Sequence, residues 1–104
     1  MNDIPPSLRS RALHLRWESP VREEAQAAEA LRKLAGEFTI KQCTEAWRAA
    51  AVLDGAAFEL AEAWFASRGA SPSPTEGELE LLCPGFLPDD YTMAIHNNIL
   101  WARK

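Results

Sequence analysis

The sequence has no apolar run approaching 18 residues and no basic stretch leading into a short apolar core near its start. The first lack excludes a membrane-spanning helix, and the second predicts no secretory leader. Cysteine is sparse: Cys43 and Cys83 lack CxxC spacing and have no histidine beside them. A disulfide framework or a zinc site needs more, so both read as small apolar core residues in a reducing compartment. Glycine is also scarce, five in all. No glycine-rich phosphate loop, GxSxG elbow or HExxH pair occurs. His14 and His96 stand far apart, each without a local partner for a triad or a metal. Asp89-Asp90 is a tight carboxylate pair, and adjacent carboxylates after a proline read as a turn or helix cap. The expectation is a protein with no catalytic residue, no metal and no cofactor, non-enzymatic and cytoplasmic.

What the chain does contain is enough apolar material for one domain. It has 104 residues, of which 47% are hydrophobic, too many for a disordered chain. Four tryptophans are a high count for this length. Each buries on the order of 200 Å², so they supply core or contact surface. The net charge is −4, from 11 basic and 15 acidic residues. That balance argues against general nucleic-acid binding, which depends on neutralising phosphates. The charges are also segregated. Arg9, Arg11, Arg16 and Arg22 crowd the first 22 residues, whereas positions 54–90 hold eight acids and only Arg68.

Periodicity predicts an all-α fold, mainly a bundle of three to four helices, with an extended or short-strand C-terminal arm. Leu8, Ala12 and Leu15 recur at i, i+4, i+7 after Pro5-Pro6, which reads as a helix of about ten residues. Ser19-Pro20 fits an N-cap and first position for a second helix running to Ala35, with Gly36 just past its end. Thr39-Ile-Lys-Gln42 fits a capping box, with Phe38 and Cys43 at the staple positions. Ile40, Cys43, Trp47 and Ala50 then share a face. Asp54-Gly55 reads as a break that starts a further helix, with Phe58, Ala61 and Phe65 on one stripe and Leu60 and Trp64 beside it, ending at Gly69. Residues 1–69 would thus form the bundle and residues 70–77, rich in proline and serine, a linker. Residues 78–104 form the arm: Glu78 to Cys83 alternates as a short strand would, and Asp90 or Thr92 caps a last segment from Met93 to Trp101, with helix favoured over strand.

The stretch Val21 to Gly69, just under half of the chain, resembles a ubiquitin-associated (UBA-like) three-helix domain. Glu24-Ala-Gln-Ala-Ala-Glu-Ala-Leu31 looks like its first helix. Gly36-Glu37-Phe38 is similar to the Met-Gly-Phe loop that follows, Phe38 to Trp47 to the second helix, and Phe58-Glu-Leu-Ala-Glu-Ala-Trp-Phe65 to the third. The chain departs from the family in an extra loop residue, in the missing methionine and in a longer second connection, Ala51 to Ala57. The resemblance implies a small apolar patch that docks a ubiquitin-like surface or another helix. Carried over residue by residue, that patch is Gly36, Phe38 and Phe65.

The function expected is therefore a protein–protein interaction module, an adaptor or a subunit of a larger complex, binding through Gly36, Phe38, Phe65 and Trp101. Its partner is another protein, a ubiquitin-like one if the resemblance carries function, with neither nucleic acid nor membrane bound directly. A second reading is a small acidic regulator that blocks a nucleic-acid-binding machine by occupying its basic groove. Its acidic face would be Glu59, Glu62, Glu76, Glu78 and Glu80. A helix-turn-helix DNA reader ranks last, because the would-be recognition helix carries Glu59 and Glu62 and no basic residue before Arg68.

Overall fold

Five helices form in a computed structural model that describes residues 4–18, 23–68, 70 and 74–102, with the side chains of 101 and 102 excepted: α1 (Pro6–Glu18), α2 (Glu24–Leu34), α3 (Ile40–Ala66), α4 (Glu76–Leu82) and α5 (Pro88–Ala102). Four-fifths of the described residues are helical and none is in a strand. The chain divides into two compact units, residues 1–51 and 52–104, and α3 contributes to both.

In the first unit, Pro6 opens α1, where its missing N–H costs nothing and its fixed φ already suits a helix. Leu8, Ala12 and Leu15 are buried as the spacing predicts, and Leu13 joins them. In α2, Ala27, Ala28 and Leu31 form the buried stripe. That helix begins later than its proline signal suggests. Its N-cap is Glu23, in extended conformation and with no side-chain cap, and the Ser19-Pro20 cap position lies outside the described residues. The capping box of α3 forms as expected. The Gln42 amide donates to Thr39 Oγ1 at 3.1 Å, and the Thr39 amide donates to Gln42 Oε1 at 2.9 Å. Cys43, Ala46, Trp47 and Ala50 make the buried face. Ile40 does not belong to it: as the first helical residue it stays 40% exposed. The Arg16 guanidinium lies 5.9 Å from the centre of the Trp47 ring, a cation–π contact between α1 and α3. Glu24 pairs with Arg48, joining α2 to α3.

The break expected at Asp54-Gly55 is absent, and α3 runs through it for 27 residues. Glycine costs a helix interior about 1 kcal/mol relative to alanine, which neighbouring alanines and the buried Leu53 outweigh. Asp54 does not cap a helix. Its Oδ1 accepts a hydrogen bond of 2.8 Å from Asn98 Nδ2 on α5. The segments read as second and third UBA-like helices are therefore one helix.

The second unit is built on Leu53, Ala57 and Ala61 of α3, Leu79 of α4, Phe86 of the following turn, and Tyr91 and Ala94 of α5. Trp64 is half-buried and Phe65 is at the surface. The helix ends at Ala66, with Arg68 in left-handed conformation at φ 54°. The expected short strand is instead α4. Thr75-Glu-Gly-Glu78 is a second capping box, with the Glu78 amide donating to Thr75 Oγ1 at 3.2 Å and the Glu78 carboxylate accepting from the Thr75 amide at 3.3 Å. Those bonds satisfy two helix-start amides that an extended arm would leave to water, so the alternation of Glu78 to Cys83 is overridden. The proline-serine segment thus shortens, with helix resuming at Glu76; positions 71–73 lie outside the described residues.

Candidate interaction surface

The turn from α4 to α5 is organised by one side chain. Tyr91 is 1% exposed, and its hydroxyl accepts from the Phe86 amide at 3.1 Å and donates to the Cys83 carbonyl at 2.7 Å. Both turn groups would otherwise be buried and unpaired, a costly state. The Phe86 ring meets the Tyr91 ring edge-on, with centroids 6.1 Å apart. Gly85, between Cys83 and Phe86 in the turn, has φ 100°, a conformation that a side chain would strain. Asp90 caps the start of α5 from its first turn: its buried carboxylate accepts from the Leu87 amide at 3.2 Å, the reciprocal half of a cap. Thr92 Oγ1 donates to the Glu76 carboxylate at 3.1 Å, a bond between α5 and α4.

With its ends tied down in this way, α4 presents two leucines to solvent. Leu81 is 87% exposed and Leu82 61%, while Leu79 on the opposite side of the helix is fully buried. Glu78 and Glu80 are exposed beside them, and Leu87, Asp89 and Met93 are exposed in the following turn and helix. No Lys or Arg occurs between Arg68 and Arg103.

The residues expected to bind fall as follows. Gly36 and Phe38 belong to the first unit and Phe65 to the second. Phe38 is half-buried, its amide donating to the Ala35 carbonyl at 3.1 Å. Gly36 is exposed and lines a shallow recess with Glu29, Arg32 and Lys33, charged rather than apolar company. A Cβ there would meet only the Arg32 carbonyl oxygen at 4.0 Å, so neither a close approach nor a positive φ requires glycine. Phe65 is 36% exposed and tilts against Trp64, with ring centres 4.9 Å apart. The side chain of Trp101 lies outside the described residues.

Comparison with protein-family models, with curated proteins and with solved structures found no match.

Of the acidic face, Glu59 and Glu62 project from α3 and Glu76, Glu78 and Glu80 from α4, all exposed and all in the second unit. Two of them also have internal work: Glu76 accepts from Thr92, and Glu78 completes the α4 cap. The reactive side chains are dispersed. Burial pushes both thiols up, Cys43 against the opposing pull of Arg32, which keeps them protonated at neutral pH. His14 lies on the open side of α1, its ring 5.4 Å from that of Trp17, beside a cleft of about 280 Å³ lined by Arg11, Leu15 and Leu34. His96 is on the exposed side of α5 in the other unit. Among the described residues no three His, Cys, Asp or Glu side chains are grouped to hold a metal, and no helix is long and apolar enough to cross a membrane.

The sequence reading missed Leu81 and Leu82 as surface residues. The signal was present: a Thr-x-x-Glu box before an apolar run marks a helix start, and a helix through Leu79 puts Leu81 on the opposite side.

Proposed function

We propose that the chain is a non-enzymatic protein-binding module, working as an adaptor or as a subunit of a larger complex. The observation that carries this reading is the adjacent pair Leu81 and Leu82, held at 87% and 61% exposure on a helix whose ends are both satisfied. Scattered surface leucines are ordinary, but neighbouring ones on a capped helix add nothing to folding and favour a contact.

The second reading, an acidic regulator that occupies a basic groove, is favoured by the charge of the second unit. Positions 52–104 carry eight acidic residues against three basic, whereas positions 1–51 carry seven against eight. The two readings differ in what a partner must offer, an apolar contact or a phosphate-binding surface.

Affinity capture followed by native mass spectrometry tests the module. A stoichiometric protein complex is expected, and a chain that stays alone at every salt concentration overturns it. Titration with ubiquitin checks the UBA-like version separately. There Phe38→Ala should weaken binding by about 1–3 kcal/mol with the melting temperature unchanged. A melting temperature that falls while binding is normal would make Phe38 a packing residue only.

A further inference from the structure

We infer that the outward face of α4 docks a short, Lys/Arg-rich amphipathic helix of a partner protein, with Leu81 and Leu82 as the apolar centre and Glu78 and Glu80 as the acidic rim. This assignment rests on the protein-binding reading above and names the partner's chemistry.

The helix has a defined inside and outside. Leu79 is fully buried, and Leu81, two residues on, points the other way at 87% exposure. Leu82 follows Glu78 by one turn, so a leucine and a carboxylate share that flank, and Glu80 lies on the other flank of Leu81. The face is short. Seven residues span about 10 Å, enough for roughly two turns of a partner helix with an apolar residue on each. Both ends of α4 are held, by the Thr75–Glu78 box at the start and by the Cys83 amide on the Leu79 carbonyl at 2.9 Å at the finish. The leucines are thus presented in fixed positions, which lowers the ordering cost of a contact.

Charge selects among occupants. The only acidic or basic side chains between Arg68 and Arg103 are Glu76, Glu78, Glu80, Asp89 and Asp90, with His96 the only other titratable nitrogen base. A second copy of this chain meeting the face with its own α4 would set Glu78 and Glu80 against themselves, and nucleic acid or an anionic membrane would meet the same repulsion. A cationic amphipathic helix meets both features at once. Its apolar stripe covers the leucines, and its lysines or arginines face the carboxylates. Electrostatic attraction of this kind speeds association and weakens with salt.

The full chain, labelled with nitrogen-15, can be titrated with three synthetic peptides of about 12 residues, long enough for three helical turns. One carries a leucine stripe with lysines, one the same stripe with glutamates, and one the lysines with serines in place of leucine. Amide shifts over residues 76–89 are expected with the lysine–leucine peptide alone. Leu81→Ser/Leu82→Ser should weaken that binding at least tenfold, and Glu80→Gln should lower it and its salt dependence. Both leucines are exposed, so the double variant should keep the parent's melting curve. The proposal is overturned if the lysine–serine peptide binds as well, if the double variant binds normally, if the shifts fall elsewhere, or if nothing binds. A stoichiometric natural complex that survives the double variant would remove the α4 assignment and leave the protein-binding module intact.

Discussion

Tyr91 is the chain's single tyrosine, and its hydroxyl bridges two backbone groups eight and five residues upstream. Tyr91→Phe keeps the ring beside Phe86 but leaves the Phe86 amide and the Cys83 carbonyl buried without that partner. A loss of about 1–3 kcal/mol is expected in urea denaturation, the range for stranding a buried polar group. A loss under a few tenths of a kcal/mol would mean that water takes over the hydroxyl's role. This residue was not legible beforehand. Nothing in Pro-Gly-Phe-Leu-Pro-Asp-Asp-Tyr tells a reader that the turn's polar groups point inward, because that depends on α4 and α5 packing together. Asp90 shows the opposite case. Its position after a proline marked it as a cap, and it caps, though by accepting from the Leu87 amide before it rather than by opening a later helix.

At the scale of elements, capping chemistry was the most dependable guide and hydrophobic alternation the least. The Thr39–Gln42 box was read correctly because its residues are three apart in sequence and its two bonds lie within that one turn. The identical logic in Thr75–Glu78 was masked by the alternation that follows it. Two glutamates and three leucines also suit a short amphipathic helix, and seven residues are too few for period alone to decide. Asp54-Gly55 misled for a related reason. A glycine breaks a helix only if its roughly 1 kcal/mol cost exceeds what the flanking turns gain, and here Leu53, Ala57 and Ala61 are buried on both sides of it. A Cβ at Gly55 would meet nothing within 4 Å. Gly55→Ala should therefore stabilise the protein by about 0.5–1 kcal/mol, through the helix entropy it restores. Thermal or urea unfolding reads the gain directly. A loss would show that α3 has a bend or a neighbour at this point that needs glycine.

For the molecule as a whole, charge is divided between the two units, and the division has a measurable effect. The second unit has a net charge of −5 by residue count and no cation between Arg68 and Arg103. Raising salt from about 10 mM to about 0.3 M shortens the screening length several-fold and relieves that repulsion. Amide protection in α4 and α5 should rise, by an amount on the order of 1 kcal/mol or less in opening free energy. Protection in α2 should hold or fall, since its surface pair Glu24–Arg48 is attractive and is screened as well. Native-state hydrogen exchange at the two salt concentrations checks both halves. Equal changes in the two units would mean that segregation of charge has no effect on stability. The sequence by itself determined the helical class, the first capping box, the core positions Leu8, Ala12, Leu15, Cys43, Trp47 and Ala50, and the acidic character of the C-terminal half. These depend on local spacing, local bonds and counts. Only the tertiary structure decided that α3 runs unbroken, that Asp54 answers Asn98 and that Tyr91 closes the turn. Each of those outcomes depends on which groups distant in sequence become neighbours, and a local pattern does not encode it.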